Sequence, residues 1–252
     1  HGALNPRQIW WMVVLIAGVG LAGYAALKIA GVRYGAAFVG VFGGLASSTA
    51  TTLLYARQAR ELPAAGAMAA LVIVIANLVM VLRVWGIAAV VAPGVAAPLL
   101  KLIVPALVLG TLGALWLWRR LAERHETVLP ATGNPTELKT ALGFGAAYAL
   151  VLLAAAWLSD YAGNRGLYVL AFVSGLTDVD AITLSSLRLY ALERLELVAT
   201  VTALGIAMLA NLCFKLGLAS VIGGRALALR AAAGMASVAL GLLAGLAWVG
   251  LG

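Results

Sequence analysis

Residues 64–90 read AAGAMAALVIVIANLVMVLRVWGIAAV, a stretch whose only charge is Arg83 and whose only side-chain amide is Asn77. A run this long and apolar meets the roughly 20 residues a helix needs to cross a hydrocarbon core about 30 Å thick. Its apolar residues lie all around the helix axis instead of forming one stripe, which marks a spanning helix rather than the amphipathic surface helix of a soluble domain.

Working outward, similar runs lie near residues 9–28, 34–56, 98–118, 138–159, 166–187, 196–220 and 229–250. The 252-residue chain is 64% hydrophobic and 10% charged, with a mean hydropathy of +1.06. Soluble domains average roughly 45–50% apolar and about 25% charged residues, so this chain has too little polar surface to coat a water-facing globule. The expected fold is an all-α polytopic membrane bundle of about eight transmembrane helices. Trp10, Trp11, Trp116, Trp118, Trp157 and Trp248 fall near run ends, where amphipathic rings favour the headgroup level. His1 stands where an initiator Met would, so an upstream segment is expected. A cleavable signal peptide is not expected, because the first run is as long as a full span.

The net charge of +8 comes from 17 Lys and Arg against 9 Asp and Glu. These charges sit singly or in small groups between apolar runs, the pattern of topology-setting loop charges. A nucleic-acid partner would call for a contiguous basic face with interleaved aromatics. With a cytoplasmic N-terminus, that side carries Arg7, Arg57, Arg60, Arg119, Arg120, Arg124, Lys139, Arg188 and Arg194; the other carries Lys28, Arg33, Lys101, Arg165, Arg225 and Arg230. The excess predicts that both termini are cytoplasmic. Cys213 is the only cysteine and lies in an apolar run, which excludes an internal disulfide and predicts a small buried packing residue.

The two halves of the chain resemble each other. Gly44–Leu53 (GLASSTATTL) aligns with Gly175–Leu184 (GLTDVDAITL) with half the positions identical, and Arg57 then falls on Arg188. Asn77 and Asn211 lie a few residues out of register, followed by Arg83 and Lys215. The organisation predicted is a first transmembrane repeat over 1–118, a polar connector over 119–137 and a second repeat over 138–252. Four spans per repeat make the repeats parallel, provided the second and sixth helices cross completely. Duplication of this kind is common in transporters and channels, whose sites lie at the repeat interface.

Within the sixth run stand Asp178 and Asp180, whereas Glu61, Glu123, Glu126, Glu137, Asp160, Glu193 and Glu196 fall in loops or near run ends. A carboxylate near the bilayer centre costs roughly 2.5–3.5 kcal/mol on insertion scales, and such residues usually mark an ion or proton path. The two oxygen donors suit a hard divalent cation such as Mg²⁺ or Mn²⁺, with waters retained. The structural alternative is that Gly175 breaks the helix, Asp178 caps the next segment and Asp180 sits in its first turn. In that case the positive end of the helix dipole opposes a bound cation.

Thr177 and Thr183 flank the pair. In the first half, Ser47, Ser48, Thr49, Thr51 and Thr52 would line the same hydrated path, or else bond back to their own helix backbone. Asn77 and Asn211 would orient ligands or water, or bond to neighbouring helices. Arg83 and Lys215 lie late in their runs and are expected to snorkel to the interface, with pairing to the Asp residues as the alternative. Gly18/Gly20/Gly23 and Gly234/Gly241/Gly245 read as helix-packing contacts, since no strand precedes them as a nucleotide fingerprint requires. Pro105 is expected to kink the fourth helix.

The runs GGLASSTATT (43–52) and SGLTDVDAIT (174–183), with the opening GALNPR (2–7) and NPTEL (134–138), resemble the C-terminal multi-helix domain of unknown function of MgtC/SapB-family membrane proteins. In that family the domain usually follows a separate N-terminal MgtC-like helical domain, so the resemblance implies such a domain or partner upstream. It also implies a multi-pass protein of the bacterial inner (plasma) membrane, with a link to magnesium.

The leading expectation is therefore a passive or proton-coupled transporter or channel for a divalent cation, acting as a homodimer. Asp178 and Asp180 would bind the metal or exchange protons, and Ser47–Thr52 would complete the path. The alternative is a regulatory or scaffold membrane protein that binds partner proteins or lipids. An enzyme is not expected: an aspartyl dyad normally joins carboxylates from separate segments, and residues two apart on one helix point in different directions. With no nucleotide-binding motif, no cofactor is expected, and the divalent cation enters as substrate.

Overall fold

The computed structural model describes residues 35–123 and 166–251. Described residues form α1 (Gly35–Glu61), a 3-10 turn (Pro63–Ala65), α2 (Gly66–Val91), α3 (Pro93–Glu123), α4 (Gly166–Thr177) and α5 (Val179–Ala191). A last helical stretch, Leu197–Leu251, is divided at Gly224, whose φ of 82° and ψ of 172° are non-helical. Glycine tolerates that conformation because it lacks a Cβ. We call the two parts α6 (197–223) and α7 (225–251). At 1.5 Å per residue the undivided stretch would be about 80 Å long, more than twice the hydrocarbon thickness.

The ends of the helices follow local chemistry. Leu62 precedes Pro63 and is extended (φ −128°, ψ 90°), and Ala92 precedes Pro93 with φ −144° and ψ 79°. A following proline disfavours helical geometry in both cases. Within α3 the helix continues through Pro98 and Pro105. It also continues to Glu123, so Arg119 and Arg120, expected in the polar connector, belong to its last turns. Arg120 lies over the Trp116 ring at 4.8 Å, a cation–π contact that i, i+4 spacing makes available on one helix face.

Among the described residues, four stretches are long and apolar enough to cross a membrane: Gly35–Glu61, Pro63–Val91, Pro93–Leu121 and Leu197–Gly250. The described architecture is all-helical. The runs expected at 9–28 and 138–159, the glycines at 18, 20 and 23, and the connector from residue 124 onward lie outside the described residues. The sixth run is not one helix but two, α4 and α5, interrupted at Asp178.

At the centre lies α2, where Leu71, Val72, Ile73 and Val74 have no exposed surface. By contrast α3 turns Val104, Val108, Leu112 and Leu115 outward, each about half exposed, as suits a helix with lipid on one side. Small residues draw the helices together. Gly245 of α7 faces Leu102 and Lys101 so closely that a Cβ there would lie 2.6 Å from the Leu102 Cα. Gly241 meets Pro105 and Ala106 more closely still, and Gly234 faces Val74 and Leu117. The packing role expected for these three glycines is the one they play. Cys213 departs from expectation, for its side chain is exposed. Asn211 and Lys215, one turn apart, face inward, so the position midway between them must point away.

Candidate functional site

Two close backbone crossings frame the site. Gly44 of α1 lies against Ala76 of α2, a Cβ there falling 2.8 Å from the Ala76 Cα and carbonyl oxygen. Gly175 of α4 lies against Ala207 of α6, with equivalent distances of 2.5 Å to the carbonyl oxygen and 2.6 Å to the Cα. Just beyond each crossing, the two motifs converge on one cavity of about 120 Å³, lined by Ser47, Ser48 and Thr49 from α1 and Thr177, Asp178 and Asp180 from the α4–α5 junction, with Met80, Arg83 and Asn211 beside them.

The junction is an ordered break. Asp178 is extended (φ −148°, ψ 123°), and its carboxylate accepts a hydrogen bond from the Asp180 amide at 2.9 Å. It therefore caps α5, satisfying an amide that has no intrahelical partner. The carbonyls released at the end of α4 are also met: Ser174 O accepts from the Asp178 amide at 2.9 Å and from Thr177 Oγ1 at 3.0 Å. Asn211 Nδ2 of α6 donates to Gly175 O at 2.7 Å. Thus Asn211 lines the cavity and holds the broken helix open, a bond to a neighbouring helix rather than a free amide.

Asp180 Oδ2 pairs with Arg83 Nη2 at 2.7 Å, the side chains being 33% and 23% exposed. Arg83 Nη1 donates to Leu45 O at 2.9 Å and lies 3.4 Å from Gly44 O. One guanidinium thus ties α2 to α1 and α5, a use that its planar fork of donors permits. Lys215 has no exposed surface; its ammonium donates to Ser48 Oγ at 2.6 Å and Asn77 Oδ1 at 2.9 Å. Snorkelling is therefore the wrong expectation for both cations. Both bend inward, where polar partners replace the water they would otherwise have to reach.

The other expected residues divide. Ser47 Oγ accepts from the Ala50 amide at 3.2 Å and stays on the cavity wall with Ser48 and Thr49. Thr51 and Thr52 are buried and bond back to Ser47 O and Ser48 O, each at 2.8 Å. Their hydroxyls are spent within α1, and neither lines the cavity. Asn77 is buried too, its amide donating to Ile73 O at 2.8 Å and its oxygen held by Lys215. Thr183 is buried on α5, and its hydroxyl, Ser186 Oγ and Asp180 Oδ1 have no hydrogen-bond partner among the described residues. These three lie at successive i, i+3 positions, which share one side of a helix. Among the described residues no group of three or more His, Cys, Asp or Glu could hold a metal.

Of the alternatives read from the sequence, pairing with the Asp residues holds for Arg83, whereas Lys215 neither snorkels nor pairs with them. The signal of both was present: they are the cations deepest within their apolar runs, a few residues after Asn77 and Asn211. A helix that is apolar all round gives no clue to which face turns inward.

Long apolar helices, an interrupted helix and a charged polar cavity between them define a membrane-embedded helical protein with an internal polar site. Residues 14–223 match the family described as Domain of unknown function (DUF4010), and the chain belongs to that family. It is 32% identical over 190 residues to a protein of Aquifex aeolicus (strain VF5) named "Uncharacterized protein", a match covering 74% of this chain and 82% of the relative. No solved structure matches the chain.

Proposed function

We propose that this protein is a transporter or channel for a divalent metal cation, passive or proton-coupled, whose path runs through the Asp178/Asp180 cavity. The observation that carries the reading is the meeting of two carboxylates, one guanidinium and four hydroxyl-bearing side chains in one cavity between apolar helices. Isolated charges are rare inside membranes because they are costly, and they mark ion paths when they occur. A volume of about 120 Å³ holds roughly four waters at about 30 Å³ each. A hard divalent ion would therefore shed part of its shell, with Asp178 and Asp180 replacing the lost oxygens. It competes with Arg83 for Asp180, and the guanidinium retains the Leu45 and Gly44 carbonyls when displaced. The two carboxylates must also outweigh the positive end of the α5 dipole. The unpartnered oxygens of Asp180, Thr183 and Ser186 extend the polar side of α5 and offer the path a continuation.

The same reading includes eight spans in two four-helix repeats, a homodimer, and a bacterial inner membrane with both termini cytoplasmic. The numbering offset that relates Gly44 to Gly175 also relates Ala76 to Ala207, the partner in each close crossing. It relates Ser47 to Asp178 as well, and both accept hydrogen bonds from amides just downstream. These coincidences support duplication. The motif resemblance to MgtC/SapB-family proteins supports a magnesium-linked role beside an MgtC-like domain or partner. One observation favours the alternative of a non-transporting regulatory or scaffold protein. Asp178 is already a helix cap and Asp180 already has a counter-ion, so both carboxylates have structural work.

The test is metal flux into proteoliposomes, with Mg²⁺, Mn²⁺, Co²⁺, Ni²⁺ and Zn²⁺ offered in turn to wild type and to Asp178→Asn/Asp180→Asn. Flux lost in a folded double variant is the expected result. A folded double variant that transports like wild type, or a folded wild type that passes none of these ions, sinks the proposal.

A further inference from the structure

We propose that Lys215 is the proton-binding residue that couples metal passage to proton movement, with Ser48 as its link to the cavity. The inference rests on the transport reading and adds the group that would make transport proton-coupled.

Lys215 sits on α6, has no exposed surface and reaches two neutral oxygens, Ser48 Oγ of α1 at 2.6 Å and Asn77 Oδ1 of α2 at 2.9 Å. Among the described residues, no carboxylate forms a salt bridge with it. An ammonium held this way has no counter-ion in contact to offset the loss of hydration. The charges acting on it from a distance are Arg83 of α2 and Asp178 and Asp180 at the α4–α5 junction; α1 presents the Ser48 hydroxyl. A structural tie between three helices would need no charge, since a hydroxyl or amide bridges two oxygens without one.

The partners accept either protonation state. A serine hydroxyl donates or accepts. With Lys215 charged, Ser48 accepts from Nζ; with Lys215 neutral, the Ser48 hydroxyl turns and donates to the nitrogen lone pair, while Asn77 Oδ1 keeps an N–H. Because Ser48 also lines the cavity, a route for the proton exists. Nζ passes a proton to Ser48 Oγ as the hydroxyl proton of Ser48 passes to a cavity water. The N–H bonding pair stays on nitrogen as the lone pair of the amine, and the water leaves as hydronium.

Charge balance gives the coupling its direction. Asp178, Asp180, Arg83 and Lys215 together are neutral when both cations are protonated. A divalent ion on the carboxylates leaves two positive charges in excess, in surroundings where like charges repel far more strongly than in water. Arginine stays protonated in proteins, so Lys215 is the group able to discharge. Metal entry expels its proton, and metal departure allows its return.

The experiment uses full-length wild type, Lys215→Gln and Lys215→Arg in proteoliposomes that trap a proton indicator and a metal indicator, with Mg²⁺ or Mn²⁺ added outside. Wild type is expected to show proton movement locked to metal entry. Lys215→Gln should keep metal entry and lose the associated proton movement, and Lys215→Arg should lose both because its charge cannot leave. Metal flux with an unchanged proton-to-metal ratio in Lys215→Gln overturns this proposal while leaving transport standing, as does wild-type metal flux with no proton movement. No metal flux from folded wild type overturns the transport reading as well. Should the Lys215 variants misfold, the ¹⁵Nζ spectrum of wild type decides. The chain has four lysines, Lys28, Lys101, Lys139 and Lys215, and arginine variants of the first three assign the fourth by elimination. Conversion of the Lys215 signal from ammonium to amine on adding metal supports the proposal; an ammonium unchanged at saturating metal overturns it.

Discussion

Replacing Gly175 by alanine adds one methyl group at the tightest crossing beside the cavity. The new Cβ would lie 2.5 Å from the carbonyl oxygen of Ala207 and 2.6 Å from its Cα, where ordinary contact begins at 3.4 Å. The three atoms nearest to it are all backbone, so a rotamer change cannot relieve the contact. The helices α4 and α6 must separate by about 1 Å, an overpacking strain of about 1–3 kcal/mol. The same displacement stretches the 2.7 Å bond from Asn211 Nδ2 to Gly175 O toward breaking and leaves a buried carbonyl unmet. Gly217, also on α6, provides the control, because a Cβ there meets nothing within 4 Å among the described residues. Alanine at 217 should be neutral or stabilising by up to about 1 kcal/mol, through helix propensity. The assay is the unfolding midpoint of purified protein in detergent. Gly175→Ala should unfold well below wild type and Gly217→Ala at or above it. Gly44→Ala, whose Cβ would meet Ala76 at 2.8 Å, should lose stability and fall between them. Equal midpoints for Gly175→Ala and Gly217→Ala would refute the backbone crossing on which the cavity geometry depends.

Two further predictions follow from the same contacts. Arg83→Gln leaves Asp180 without its counter-ion; with the pair 23% and 33% exposed, the loss of stability should be about 1–2 kcal/mol, below that for a fully buried pair. Removing the competitor should also tighten Mn²⁺ binding, measured by calorimetry or Mn²⁺ resonance; weaker binding in the folded variant would contradict competition for Asp180. A spin label on Cys213, which is exposed on α6 between two inward-facing polar residues, should be relaxed by oxygen dissolved in the bilayer more than by a water-soluble nickel chelate. The reverse preference would put that side of α6 against water.

Much of the fold was legible because membrane insertion writes itself into composition. Where the structure describes the expected runs it finds helices, since a backbone in hydrocarbon must satisfy its own hydrogen bonds. Pro63 and Pro93 mark where chain segments turn, by restricting the residue before them. Asp178 and Asp180 stood out because carboxylates in such a run are costly, and Asp178 is the cap expected of it, although the helix breaks at Asp178 and not at Gly175, which stays inside α4. What stayed hidden was the direction in which side chains point. Cys213 looked like packing and is exposed, while Lys215 looked like a snorkelling residue and is buried.

Composition and local chemistry by themselves therefore determined that the protein is helical and membrane-embedded, and which short motifs carry its polar groups. Only the tertiary structure decided that those motifs share one cavity, that Arg83 crosses to Asp180, and that Lys215 reaches Ser48 and Asn77 from more than a hundred residues away. The physical reason is that water sorts polar from apolar side chains along a soluble helix, whereas helices apolar on every side carry no such mark. Their rotation is set by where small residues such as Gly44, Gly175 and Gly241 let backbones approach. That is a property of pairs of helices and is written in no single one.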